Sequence, residues 1–244
     1  EENTDNSYHV VTTVNVDSTT VVDGFCIIDG YADGSFNDDN KAGGWYNFGS
    51  GLNNRSNPTI RNCILANNYS IDHGGFMYNL GSDGGNASPT LINCKIIDNT
   101  SGQDGGGLYN DGDLGKSSPV LINCIISGNE SQVSRGGAMN NNGEEGESSP
   151  VLINCIISGN YSGQEGGGMY NYGNEGTSSP VLTNCIIYGN ASGTDGGGLY
   201  NYANTDENVG TCSPILTNCI IGNNIANNGN NFYNYTENNG ILMP

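Results

Sequence analysis

The stretch Ser118-Pro119-Val120-Leu121-Ile122-Asn123-Cys124-Ile125-Ile126-Ser127-Gly128-Asn129 returns unchanged from Ser149 to Asn160 and, with two substitutions, from Ser179 to Asn190. Around it, Pro58, Pro89, Pro119, Pro150, Pro180 and Pro214 stand 31, 30, 31, 30 and 34 residues apart. A fixed period in this range is the mark of a solenoid, in which each repeat completes its core only by stacking on its neighbours.

One repeat divides into three short apolar stretches separated by turns. Gly105 to Asn110 is the first, Pro119 to Ile122 the second and Cys124 to Ile126 the third, with Asn123 as the bend between the last two. Strands this short, bounded by Gly, Asn and Ser, exclude helices, and no segment carries a 3.6-residue period with caps. The chain is therefore read as all-β, with about seven coils of roughly 30 residues and three short strands in each. Strand alternation assigns the faces. Met77, Leu108, Met139 and Met169 share an inward phase, as do Leu91, Leu121 and Leu152, and Ile96, Ile126 and Ile157. Asn62, Asn93, Asn123, Asn154, Asn184 and Asn218 line up at the bend, where each amide can bond the same amide one coil away. Cys63, Cys94, Cys124, Cys155, Cys185 and Cys219 each follow one of these asparagines, with Cys26 taken as the first of the set. They read as a column of buried thiols. Cys212 stands apart, in a polar loop where it could remain free or pair between molecules.

Stacked aliphatic columns and an asparagine ladder at a sharp bend resemble the right-handed parallel β-helix of pectin-lyase-like proteins. Gly136-Gly137-Ala138-Met139, followed in phase by segments such as Ile126-Ser127-Gly128-Asn129, also resembles the GGA-aliphatic and FxxN motifs of chlamydial polymorphic outer membrane proteins, with Ile in place of Phe. The resemblance covers roughly residues 20 to 235 and implies a secreted or surface protein among adhesins, structural proteins and polysaccharide lyases. Fold alone does not choose among these. The chain is expected to form one solenoid domain over 1–244. Within it, 1–30 supply an N-terminal strand and a divergent first coil, 31–224 the regular coils, and 225–244 a last partial coil and an apolar tail.

Composition narrows the function classes. Only 34% of the 244 residues are apolar and 39 are glycine, which suits a thin axial core better than a compact globule. A net charge of −19 disfavours nucleic acid and anionic membrane surfaces, both of which require clustered Lys and Arg. No apolar run reaches the length of a membrane span and no leader is visible, so membrane insertion is not expected. The first residue is Glu1, as in a processed chain, and the reading is an extracellular or cell-surface protein.

Two outward sets are candidates for an interaction face. Tyr78, Tyr109, Tyr170 and Tyr200 form a tyrosine column broken at Asn140, with Tyr172 and Tyr202 two residues along. Tyrosine offers an apolar face and a polar tip to sugars or proteins, or the rings can simply stack on one another. Ile122 and Ile153 on one strand, with Ile125, Ile156 and Ile186 on the next, form an outward apolar wall larger than a soluble monomer usually shows.

Other signals are weaker. The phase before the glycines reads Lys41, His73, Asp104, Arg135, Glu165, Asp195, Asn228, an ion-pair ladder or, less in keeping with only six basic residues, a catalytic row. Asp33, Ser35, Asn37, Asp38 and Asp39 place oxygens at calcium-loop spacing without the later Glu of an EF-hand, so calcium is the one cofactor considered. Asn99, Asn129, Asn160 and Asn190 begin Asn-x-Ser/Thr sequons and are glycosylation candidates.

These readings combine into a non-catalytic extracellular solenoid acting as a structural or adhesive surface protein. It would associate with copies of itself, head to tail or side by side, into fibres or sheets, and could also meet cell-surface glycans. The alternative is a carbohydrate-active protein, either a polysaccharide lyase or a glycan-binding module.

Overall fold

The computed structural model describes residues 7–35, 38–204, 209–236 and 241–242. Among them the backbone winds as an all-β parallel solenoid of about seven coils, every ladder being parallel and joining one coil to the next. The first sheet holds eight strands: Val11–Val14, Trp45–Phe48, Met77–Leu80, Leu108–Asp111, Met139–Asn142, Met169–Tyr172, Leu199–Ala203 and Phe232–Thr236. A second sheet of seven runs from Val21–Asp23 through Val120–Ile122 to Ile215–Thr217, and a third of seven from Cys26–Ile28 through Ile125–Ser127 to Ile220–Gly222. A fourth sheet, of six two-residue strands from Tyr31–Ala32 to Ala191–Ser192, was not expected. Its members, such as Glu130–Ser131, have no apolar run to betray them; they are strands because the coil above supplies backbone partners.

Like residues lie in register. Leu121 pairs with Leu91 on one side and Leu152 on the other, and Ile126 with Ile96 and Ile157. These columns, with Trp45, Met77, Leu108, Met139, Met169 and Leu199, are fully buried and form one continuous core. The bend after each second-sheet strand is the left-handed conformation of its asparagine: φ is 54° at Asn123 and 55° at Asn154. Asparagine tolerates this region better than other non-glycine residues. In the first coil Gly24, at φ 77°, does the same work. Beyond the bend, Gly137 marks a close backbone approach, since a Cβ there would overlap the carbonyls of Gly167 and Tyr161.

The bend holds a correction about the cysteines. The third strand begins one residue later than expected, at Ile125, so Cys124 turns inward from the bend itself. Its Sγ lies 3.5 Å from the carbonyl of Leu91, and Cys155 and Cys185 repeat the contact on Leu121 and Leu152. All eight thiols are free. Cys26 does not head this column. It pairs with Ile64 in the outward phase and is exposed, while Phe25 holds the cysteine phase. Cys212 is not in an open loop. It is fully buried beside the carbonyl of Asn171, one coil beyond Ser178, so it is not placed to bridge two molecules. Burial pushes its thiol well up from the ordinary cysteine range.

Two further asparagine ladders run inside the coil. Asn47, Asn79, Asn110, Asn141, Asn171 and Asn201 each donate Nδ2 to Oδ1 of the next, at 2.7–2.9 Å. Thr13 closes the first end by donating to Asn47, and it accepts in turn from the Trp45 indole at 2.8 Å. The other ladder is Asn68, Asn99, Asn129, Asn160, Asn190 and Asn224, in which both the backbone N–H and Nδ2 reach the Oδ1 of the next coil. Asn99, Asn129, Asn160 and Asn190 are thus the opposite of accessible sequons. Each is buried with its Nδ2 committed to the ladder, and the folded coil has no room for a glycan on that atom.

Candidate functional site

Two surfaces carry the residues singled out in the sequence. The first is formed by the outward faces of the second and third sheets. Ile122 stacks on Ile153, and Ile125 on Ile156 and then Ile186. All five point away from the core and are half-buried or exposed, Ile156 at 36%, and the same column continues through Ile64 at 40% and Ile220 at 64%. The outward positions of these strands from Thr59 to Ile220 include Arg61 and Lys95 but no Asp or Glu. In a chain of net charge −19, this is where the negative charge is missing.

The second surface is the outer face of the first sheet. The tyrosine column points away from the core, but its rings are not the open platform the sequence suggested. Tyr78, Tyr170 and Tyr200 are buried and Tyr109 is half-buried, covered by the loops that carry Ala42 and the charged column. Tyr78 and Tyr109 stack at 5.1 Å with parallel planes, Tyr170 and Tyr200 at 5.2 Å, and Tyr172 and Tyr202 at 5.0 Å. Stacking within the ladder accounts for most of this surface. Burial holds the phenols of Tyr78, Tyr109 and Tyr170 well above the usual tyrosine range, and pushes Tyr172 up to about 12 with help from Glu144.

The charged column runs beside the rings. His73 stacks on Tyr109 at 4.6 Å and lies 3.6 Å from the carboxylate of Asp104. Asp104 also accepts from the Ser134 hydroxyl and the Arg135 backbone N–H. Arg135 pairs with Glu165 at 3.0 Å and lies over the Tyr170 ring at 5.2 Å. Burial opposes the charge of this guanidinium, but Tyr170, Glu165 and Asp104 outweigh it and raise its pKa above the usual arginine range.

One coil interrupts the column that runs from Tyr78 to Tyr200. Met139–Asn142 carries Asn140 and Asn142 where the next coil has Tyr170 and Tyr172. The missing rings leave an open notch of about 360 Å³, lined by Asp104, Tyr109, Arg135, Asn140, Asn142, Glu144, Tyr170, Tyr172 and Tyr202. Its rim is fixed by hydrogen bonds: Asn142 donates to Asp111, and Asn174 to Glu144. Asn140 differs, because it is only 3% exposed and its amide makes no hydrogen bond to any described residue. The sequence shows the gap at Asn140, but not that the neighbouring rings are roofed over and leave this coil as the opening.

Of the residues at calcium-loop spacing, Asn37 lies outside the described residues and Asp38 is engaged by Lys41 at 3.3 Å; no group of three His, Cys, Asp or Glu side chains placed to hold a metal ion occurs among the described residues. Compared with protein-family models, curated proteins and solved structures, the chain matches none.

Proposed function

We propose that the protein is a non-catalytic extracellular solenoid whose lateral wall, free of acidic side chains, packs against a second copy of the same chain, building fibres or sheets. The observation that carries this reading is the distribution of charge. Copies of a molecule at −19 repel one another wherever their acidic loops face, and the outward wall from Thr59 to Ile220 is free of Asp and Glu. The wall also offers half-exposed β-branched side chains in straight columns, a contour that repeats with every coil and so can meet its own copy in register. The similarity of Gly136-Gly137-Ala138-Met139 and Ile126-Ser127-Gly128-Asn129 to chlamydial outer-membrane repeats supports a surface location. Labelling intact source cells with antibody against the chain tests that part.

Sedimentation velocity and electron microscopy test the assembly. The wild-type chain is expected to show species that grow with concentration, and Ile125→Asp with Ile156→Asp to leave a monomer of unchanged circular dichroism. A wild-type chain that sediments as a monomer up to its solubility limit overturns the reading.

A further inference from the structure

The notch at Asn140 sits in an otherwise continuous stack of rings. On one side Tyr109 has its far face covered by Tyr78; on the other, Tyr170 is backed by Tyr200. With one ring absent, the facing rings are two coil rises apart, about 9.6 Å, so that a ring in the middle would lie about 4.8 Å from each. Arg135 enters this space from the side, its guanidinium lying over the Tyr170 ring at 5.2 Å. His73, of the same phase, stacks on Tyr109 at 4.6 Å while Tyr78, 6.4 Å from it, stacks on the same ring at 5.1 Å, which shows that a side chain of this phase can lie over a ring whose column position is also occupied.

From this geometry we infer that the vacancy is a binding site for one neutral pyranose unit of a saccharide chain. A flat ring of that thickness restores the stack, one C–H face resting on Tyr109 and the other sharing the Tyr170 face with Arg135, as Tyr78 shares the Tyr109 ring with His73. The choice of a sugar over other rings follows from the polar groups. Asn140 brings an unpaired donor and an unpaired acceptor at the back of the notch, Arg135 brings donors, and Asp104 and Glu144 bring acceptors. Hydroxyls can pair with both kinds, whereas a hydrocarbon ring would leave the Asn140 amide unsatisfied, at a cost. A uronate or phosphate would meet two carboxylates against one guanidinium. The notch volume is that of a small-ligand site. This inference is independent of the lateral wall, which lies on other sheets.

Isothermal titration of the full chain tests it, with maltohexaose, cellohexaose and triacetylchitotriose as neutral probes and trigalacturonate and phenol as contrasts. At least one neutral oligosaccharide is expected to bind saturably. Asn140→Tyr, which gives this coil the residue its neighbours have, should weaken that binding at least tenfold while thermal unfolding stays the same or rises. Asn140→Leu, which removes the amide without supplying a ring, should weaken it to a similar degree. The inference is overturned if no neutral probe binds, if Asn140→Tyr binds as well as wild type, or if only phenol or trigalacturonate binds.

Discussion

Nδ2 of Asn141 lies 2.7 Å from Oδ1 of Asn171, and both side chains are fully buried. Asn110 donates to Asn141 from the other side, so each amide gives one hydrogen bond along the axis and takes one. Deleting a single member strands a donor on one neighbour and an acceptor on the other. At about 1–3 kcal/mol for each unsatisfied buried group, Asn141→Ala should cost about 2–6 kcal/mol in urea unfolding. The exposed bend ladder should behave differently. Asn123 holds φ 54° and its amide bond to Asn93 faces water, so Asn123→Gly should cost under about 1 kcal/mol, while Asn123→Val, forced into the left-handed region, should cost about 1–3 kcal/mol. Equal losses for Asn141→Ala and Asn123→Gly would remove the distinction between the two ladders.

Thiol reactivity reports directly on the register at the bend. Cys26 is exposed, Cys219 is half-buried on the last coil, and Cys63, Cys94, Cys124, Cys155, Cys185 and Cys212 are buried. A chromogenic disulfide reagent should therefore modify Cys26 at once and Cys219 more slowly, and reach the other six only on unfolding. Six fast thiols in the native protein would contradict the inward column.

How much of this was open to the sequence depends on how local the cause is. The columns of Leu121 and Ile126 were legible because side-chain alternation follows from strand geometry alone. The ladder of Asn123 was legible because a turn asparagine at constant phase has one evident partner. Asn110 and Asn129 were missed as ladder members because their amides are satisfied only by the coils above and below, and an asparagine beside a turn normally reads as solvated. Tyr78 and Tyr170 were given the correct side of the strand but the wrong exposure, since the loops that roof them are polar and carry no pattern of their own. Cys26 was misplaced by one residue, because Gly24 replaces the bend asparagine that sets the phase elsewhere.

The acidic loop beside the notch makes stability depend on pH. Burial, and then the carboxylates of Asp111, Glu144 and Glu145, push Asp113 up to about 6. An unfolded Asp titrates near pH 4, so between about pH 4 and 6 the folded chain holds the extra proton, and stability falls as pH rises through that window. Asp113→Asn removes the cost of charging this group. It should raise the unfolding temperature at pH 7.5 relative to wild type, by an amount worth under about 1 kcal/mol after solvent screening, and lose that advantage at pH 4. A gain of equal size at both pH values would trace the effect to something other than ionisation.

At high pH the tyrosine stack sets a second limit. Burial raises the phenols of Tyr78, Tyr109 and Tyr170 well above the unfolded value near 10, so the folded chain keeps protons that the unfolded chain releases. The stability tied to these groups is whole below about pH 10 and is lost as pH rises beyond it. Phenolate absorbance should accordingly show a group of tyrosines that ionise only as the far-ultraviolet dichroism collapses, in one concerted step. Tyr170→Phe keeps the ring under Arg135 and between its neighbours while removing the ionisable group, so it should move the alkaline unfolding midpoint upward. If the midpoint instead fell in that variant, with the neutral-pH stability unchanged, burial of the Tyr170 hydroxyl could not be the cause of alkaline unfolding.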